Sequence, residues 1–234
     1  MATGLKLSVI VPVGPGEPAW RELLGDLAVM DSGAEIILVA LSGAAPGEFD
    51  AHEYGLRVPA RWLEAPAGRA RQQNAGAAAA RGEMLWFLHA DSRLPAGSVA
   101  KAMGFAGRPA LGYFDLRFRD DGPRLAQLNA LGAWIRSRWL GLPFGDQGLI
   151  LPRQLFHALG GFDETLSAGE DHALVWAARR AGISLTPLRA PLHTSARRYA
   201  EHGWLRTTLR HARLTISQAR SFSAAGPESG AKER

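Results

Sequence analysis

The chain has 234 residues, 47% hydrophobic and 21% charged, a globular balance that excludes fibrous and intrinsically disordered classes. It has no cysteine, which excludes disulfides, thiolate nucleophiles, zinc–thiolate sites and iron–sulfur clusters. Residues 1–192 carry equal numbers of acids and bases, so the net charge of +5 lies wholly in residues 193–234; a neutral body with one basic segment speaks against nucleic acid and for a phosphate-bearing ligand or an anionic membrane surface.

Leu7 to Val13 (LSVIVPV) is β-branched and runs into Gly-Pro, which predicts a strand and a turn, and WRELLGDLAVM over 20–30 predicts a helix. Glu35 to Leu41 repeats the strand signal, and Leu56 to Leu63 predicts a third strand. Residues 69–81 are alanine-rich and helical, and 84–89 form a continuous apolar run. This alternation predicts an α/β fold with a mainly parallel sheet. Further on, Phe114, Leu116 and Phe118 alternate with polar residues, as in a half-solvated, antiparallel strand. A helix is expected from Pro123 to Leu140, with Leu125, Leu128, Leu131, Ile135 and Trp139 at helical spacing. Gly148 to Leu151 predicts a short strand, 170–182 a helix, 203–221 a basic helix, and 222–234 a disordered tail. No apolar run reaches the roughly 18 residues of a membrane span and no cleavable leader is evident, so a cytoplasmic protein is expected.

Four segments are candidates for chemistry. Gly14, Gly16 and Ala19 follow a strand and precede a helix, like a dinucleotide fingerprint, but Val39-Ala40-Leu41-Ser42 lacks the acid that would hold a ribose, so an ordinary strand-to-helix turn is favoured. Asp91, in His89-Ala90-Asp91-Ser92, follows a buried strand at the position where open α/β sheets bind ligands. A hard carboxylate there suits Mg²⁺ or Mn²⁺ against a diphosphate; the plain alternative is a helix cap. Glu170 and Asp171 open a helix, where acids complement the dipole or, in a cleft, supply a general base. Arg197 and Arg198 offer guanidinium forks for phosphate, and His193 beside them is a candidate metal ligand or a structural histidine.

Together LSVIVPV, ARQQNAGAAAARGEMLWFLHADSRLP, FGDQGLILPRQLFHALGGFDE, GEDHALVWAARRAG and SARRY, in this order, resemble the family 2 glycosyltransferases of GT-A fold. Their wording is similar to a compact bacterial branch associated with arsenosugar biosynthesis and radical-SAM neighbours. The resemblance implies a domain over residues 1–221, with a nucleotide-binding half to about residue 95 and an acceptor half over 96–221. It implies Asp91 as the metal and diphosphate carboxylate, and Asp171, the second acid of the Glu170-Asp171 pair, as base. Arg197, Arg198 and Tyr199 would close over the diphosphate, Arg71 and Asn74 would line the donor pocket, and Gly145, Asp146 and Gln147 would form the sugar and acceptor loop. Two departures stand out: no acid follows the second strand, and His89 replaces the first acid of the metal motif.

The expected activity is transfer of a sugar from a nucleoside-diphosphate donor to an acceptor hydroxyl with inversion, assisted by Mg²⁺ or Mn²⁺. One alternative is a nucleotidyltransferase, although GPGEP lacks the basic residue such a loop needs; another is a binding module that docks through its basic C-terminal helix. In that helix, over Gly203–Phe222, Leu205, Leu209, Ala212 and Ile216 share a face with arginines around them and no acid between Trp204 and Phe222. It is read either as a peripheral contact with the inner face of a membrane or as a stripe packed on the domain.

Overall fold

The computed structural model describes residues 5–210, 213 and 215; the expected tail over 222–234 lies outside the described residues. The strands are β1 (Leu7–Pro12), β2 (Ala34–Leu41), β3 (Ala60–Ala65), β4 (Met84–Phe87), β5 (Leu111–Phe118), β6 (Ile150–Pro152) and β7 (Leu185–Thr194). The helices are α1 (Trp20–Leu27), α2 (Arg69–Ala79), α3 (Ser98–Met103), α4 (Ala126–Trp139), α5 (Arg153–Ala158), α6 (Glu170–Arg180) and α7 (Arg197–His202). The seven strands form one mixed sheet in the order β3-β2-β1-β4-β6-β5-β7. The first four are parallel to one another, β6 is antiparallel to β4 and β5, and β5 runs parallel to β7.

Burial on both faces explains why the central strands read as unbroken apolar runs. Val9 and Val11 pack with Leu23, Leu24 and Leu27 of α1 on one face, while Ile10 packs with Ala70 and Ala77 of α2 on the other. The approach of α2 is close enough that a Cβ at Gly76 would lie 2.5 Å from Ile10 Cγ2. An alanine-rich helix with a glycine there lets backbone meet sheet. Strand order reverses between β1 and β4, so their carboxyl ends open a crevice at the topological switch point.

Several expectations shift. The third strand starts only at Ala60, after Pro59, which has no N–H for the ladder; Leu56 and Val58 are buried ahead of it as core residues. The strand β7 was not anticipated, because Pro187 and Pro191 argue against a strand; it lies at the edge, where prolines are tolerated, and Arg189 (φ 55°) falls within the register shift between the Tyr113 and Asp115 pairings. The β5 strand does alternate near its end, but it pairs parallel with β7 along most of its length and antiparallel with β6 only at Gly112.

The helix α4 is inverted. Ala126, Ala130 and Ala133 face inward against Leu116, Phe118 and Tyr199, while Leu128, Leu131 and Ile135 are exposed. The C-terminal helix begins as α7, breaks at Gly203 (φ 78°) and resumes over residues 204–210. Leu205 and Leu209 there are exposed rather than packed on the domain, and Ala212 and Ile216 lie outside the described residues.

Candidate active site

The residues after β4 are braced from two sides. Arg93 grips both carboxylate oxygens of Asp26 in α1 (2.6 and 2.8 Å), whose Oδ2 also accepts from the Leu94 amide at 2.9 Å. The Arg93 backbone meanwhile exchanges hydrogen bonds with His193 of β7 at 2.8 and 3.0 Å. Asp91 is thereby held half-buried at the carboxyl end of β4, and its charge acts on His89, Asp146 and Arg197. Burial, reinforced by Arg69, keeps the His89 pKa below its usual value against the pull of Asp91, Asp171 and Glu170.

Opposite this loop stand the start of α6 and the turn over residues 145–147. The Gly145 amide donates to Asp171 Oδ2 at 2.5 Å, and the His172 amide to Asp171 Oδ1 at 3.0 Å. Burial opposes the Asp171 charge, yet His172, Arg69, the Gly145 amide and His89 outweigh it, so its pKa falls below the ordinary value. Glu170 is buried and ion-paired with Arg69, the first residue of α2. Arg69 therefore enters the acid cluster from across the crevice.

Asp146 is the contrasting acid. Its Oδ1 is shut off from solvent and has no hydrogen-bond partner among the described residues. Burial, with repulsion from Asp171 and Asp91, raises its pKa to about 6 against the attraction of Arg136 and Arg69. Arg136 reaches in from α4, with its guanidinium carbon 3.1 Å from the Phe144 ring centre, and burial lowers its pKa to about 10. Two carboxylates pushed apart in pKa within one cluster are the pattern of an acid/base site.

The rim comes from both ends of the chain. Arg197 pairs with Glu17 in the turn after β1, while Arg198 is exposed and also acts on Glu17. Tyr199 is buried under this rim, its ring 5.3 Å from Phe118 and its hydroxyl accepting from Asn129 at 3.2 Å. Burial and Asp146 raise its pKa.

The structure thus brings together Asp91, Asp146, Gly145, Asp171, Glu170 and Arg197, with Tyr199 beneath. It does not bring in Gln147, whose amide is spent on Phe114 O, Ser137 Oγ and the Phe144 amide, so it shapes the loop from inside. Asn74 likewise clamps Phe162, bonding both its N–H and its carbonyl, at a groove of about 480 Å³ between the 159–164 turn and α6. Arg71 is exposed beside Glu164, 3.7 Å away. His193 sits among Arg117, Arg119 and Asp120, and burial together with the two arginines lowers its pKa; a cation-rich setting is a poor place for a metal ligand.

Arg69 and Arg136 were missed by sequence reasoning. The signal for Arg69 was the polar line Arg69, Gln72, Gln73 and Gly76, one helical face that ends on the close-approach glycine. For Arg136 no pattern pointed inward.

Among the described residues no group of three or more histidine, aspartate or glutamate side chains is arranged to hold a metal ion. Asp91 alone still fits a divalent ion that arrives with a diphosphate, because Mg²⁺ commonly takes one carboxylate and fills its shell with phosphate oxygens and water. No helix among the described residues is long and apolar enough to cross a membrane.

The sheet order, the mixed strand directions and the crevice at the carboxyl ends of β1 and β4 define a GT-A-like fold. Solved structures share it. Mannosyltransferase PcManGT from Pyrobaculum calidifontis, in complex with GDP-Man and Mn²⁺, superposes with a TM-score of 0.67 at 20% identity over 94% of this chain and 65% of that one. S. aureus TarS 1-349 in complex with UDP matches with a TM-score of 0.62 at 20% identity, over 82% of this chain and 61% of that one. The longer TarS structure matches with a TM-score of 0.61 at 17% identity, so this chain spans between 37% and 65% of the length of these neighbours. No protein-family profile and no curated protein sequence matches the chain.

Proposed function

We propose that the chain is an inverting glycosyltransferase that moves a sugar from a nucleoside-diphosphate donor to an acceptor hydroxyl. The observation that carries this is one crevice holding an ionised, amide-held Asp171, a separate carboxylate Asp91 and the cations Arg69 and Arg197. The fold likeness to proteins solved with UDP, UDP-GlcNAc and GDP-Man agrees with it.

In this reading the Gly145 amide aims the Asp171 carboxylate at the acceptor. The acceptor oxygen bonds to the anomeric carbon while the bond from that carbon to the β-phosphate oxygen breaks. The electron pair leaves with the diphosphate and the hydroxyl proton passes to Asp171. Inversion needs only this one base. Glu170 holds Arg69 in place, and Arg69 and Arg197 stabilise the charge that develops on the leaving group, where each preorganised contact contributes about 3 kcal/mol. Asp91 would hold a divalent ion brought by the donor, which when bound supplies further neutralisation of the diphosphate. Asp146, Arg198 and Tyr199 belong to the donor and acceptor rim. Arg71 and Asn74, beside Glu164 and Phe162, stand at the groove of the 159–164 turn.

The unpartnered Oδ1 of Asp146 favours a second assignment, in which Asp146 and not Asp171 takes the proton. Calorimetric titration with UDP- and GDP-sugars, with and without Mn²⁺, tests the binding half of the proposal. Saturable binding of one nucleotide sugar is expected, and no binding of any would overturn it.

A further inference from the structure

We propose that the outer face of α4 and the helix over 204–210 together form a docking surface for an anionic lipid bilayer. The first observation is inverted amphipathicity. Nine of the ten exposed large hydrophobic residues among the described residues lie in residues 125–140 and 204–210. Leu128, Leu131, Ile135 and Trp139 run along α4, with Leu205 and Leu209 on its neighbour; Trp139 is 78% and Leu205 61% exposed. The inward positions of α4 are three alanines and Ser137. Water-soluble surfaces rarely gather apolar side chains in this way without something to cover them.

The second observation is that the two helices make one surface. Trp204 Nε1 donates to Asn129 Oδ1 at 2.8 Å, and Asn129 Nδ2 donates to Thr208 Oγ1 at 2.9 Å. Trp204 also packs on the cluster of Ala126, Ala130 and Tyr199 that holds α4 to the sheet.

Charge selects the occupant. No acidic residue occurs between residues 122 and 145 or between 202 and 215, and Arg124, Arg206, Arg210 and Arg213 are exposed there. Exposed leucine and tryptophan with arginines and no acids are the composition of an interfacial helix, which seats its apolar side at the acyl boundary and its cations among anionic headgroups. A protein partner would need its own acidic and apolar face, whereas an anionic bilayer presents both chemistries everywhere. From the flank of α4, Arg136 reaches into the acid cluster, so docking sets the crevice beside the lipid surface.

The full chain is sedimented with vesicles of equal parts phosphatidylglycerol and phosphatidylcholine at low and high salt. Binding at low salt that weakens at high salt is expected, since headgroup attraction is screened within about 10 Å at 0.1 M salt. Leu131→Gln with Ile135→Gln, both already exposed and hence compatible with folding, is expected to weaken binding on the order of tenfold or more with residues 203–234 intact. Arg206→Gln with Arg210→Gln is expected to remove most of the salt dependence. The proposal is overturned if the full chain does not sediment at low salt, or if the α4 variant binds like wild type. It is also overturned if wild type is a dimer in ultracentrifugation that the α4 variant dissociates without any vesicle binding. None of these readouts depends on turnover, so they stand or fall apart from the glycosyltransferase proposal.

Discussion

Replacing Gly145 with alanine perturbs the proposed base without touching any charge. Gly145 does not need a left-handed backbone, since its φ is not among the positive values, so the effect of a Cβ there is steric. That atom would lie 2.9 Å from Asp171 Oδ2, 3.2 Å from its Cβ and 3.4 Å from its Cγ. Ordinary contact begins near 3.4 Å, so the carboxylate must move by about 0.5 Å or the loop must withdraw and lengthen its 2.5 Å hydrogen bond. A misplacement of about 1 Å at a reacting group can cost 10²-fold in rate, so half of that places the loss between about tenfold and 10²-fold in kcat. Overpacking adds about 1–3 kcal/mol of destabilisation, which thermal unfolding reads separately. The assay is kcat and donor Kd measured together on folded protein. A lowered kcat with donor affinity within a few-fold is expected, because the proposal puts the diphosphate of the donor on the Asp91 side. A folded Gly145→Ala with wild-type kcat would refute the claim that this amide positions the base.

Asp171→Asn is expected to lower transfer by about 10² to 10⁴ while donor affinity stays within a few-fold; if Asp146→Asn shows that loss instead and Asp171→Asn is active, the base is Asp146. Asp146 also predicts a pH-dependent stability. Its pKa rises from 3.8 to about 6 on folding, so its contribution is present below pH 3.8 and is lost as pH rises through 6. Asp146→Asn should therefore be more stable than wild type above pH 6, by at most about 3 kcal/mol, and the gain should vanish near pH 4 in urea titrations; no gain at neutral pH would mean the charge is compensated. Asp91→Ala is expected to erase the difference between donor titrations with and without Mn²⁺, and a persisting difference would place the ion elsewhere.

The fold was largely legible because the strands that build its centre are buried on both faces, and that leaves long apolar runs such as SVIVP and EIILVAL. The edge was not. The prolines of β7 obscure a ten-residue strand at the edge of the sheet, whose outer side is bridged by Arg93 at His193. The alternation in β5 showed its solvated residues but carried no information on direction, since parallel and antiparallel edge strands share a period of two.

At the site, Asp91 and Asp171 stood out in the sequence because each follows or opens a strongly patterned element, and the structure sets both in one crevice. For Arg71, Asn74, Gln147 and His193 the sequence did not show which residues they meet, because a side chain's partners depend on neighbours far away in the chain. Asn74 is spoken for by Phe162 and Gln147 by Phe114. Arg69 and Arg136 were hidden for the same reason in reverse: a helical arginine reads as solvated until the sheet places carboxylates in front of it. The leucines of α4 had the spacing of a core face, and only the three-dimensional packing shows that the alanines between them take that place.

The most direct test of the glycosyltransferase proposal is release of nucleoside diphosphate from a panel of nucleotide sugars, with Mn²⁺ or Mg²⁺, by wild type and Asp171→Asn side by side. Wild type should release diphosphate from one donor class above background, and Asp171→Asn should fall by at least about 10²-fold at saturating donor. No release from any donor by protein that binds one of them, or equal release by both proteins, would contradict the account.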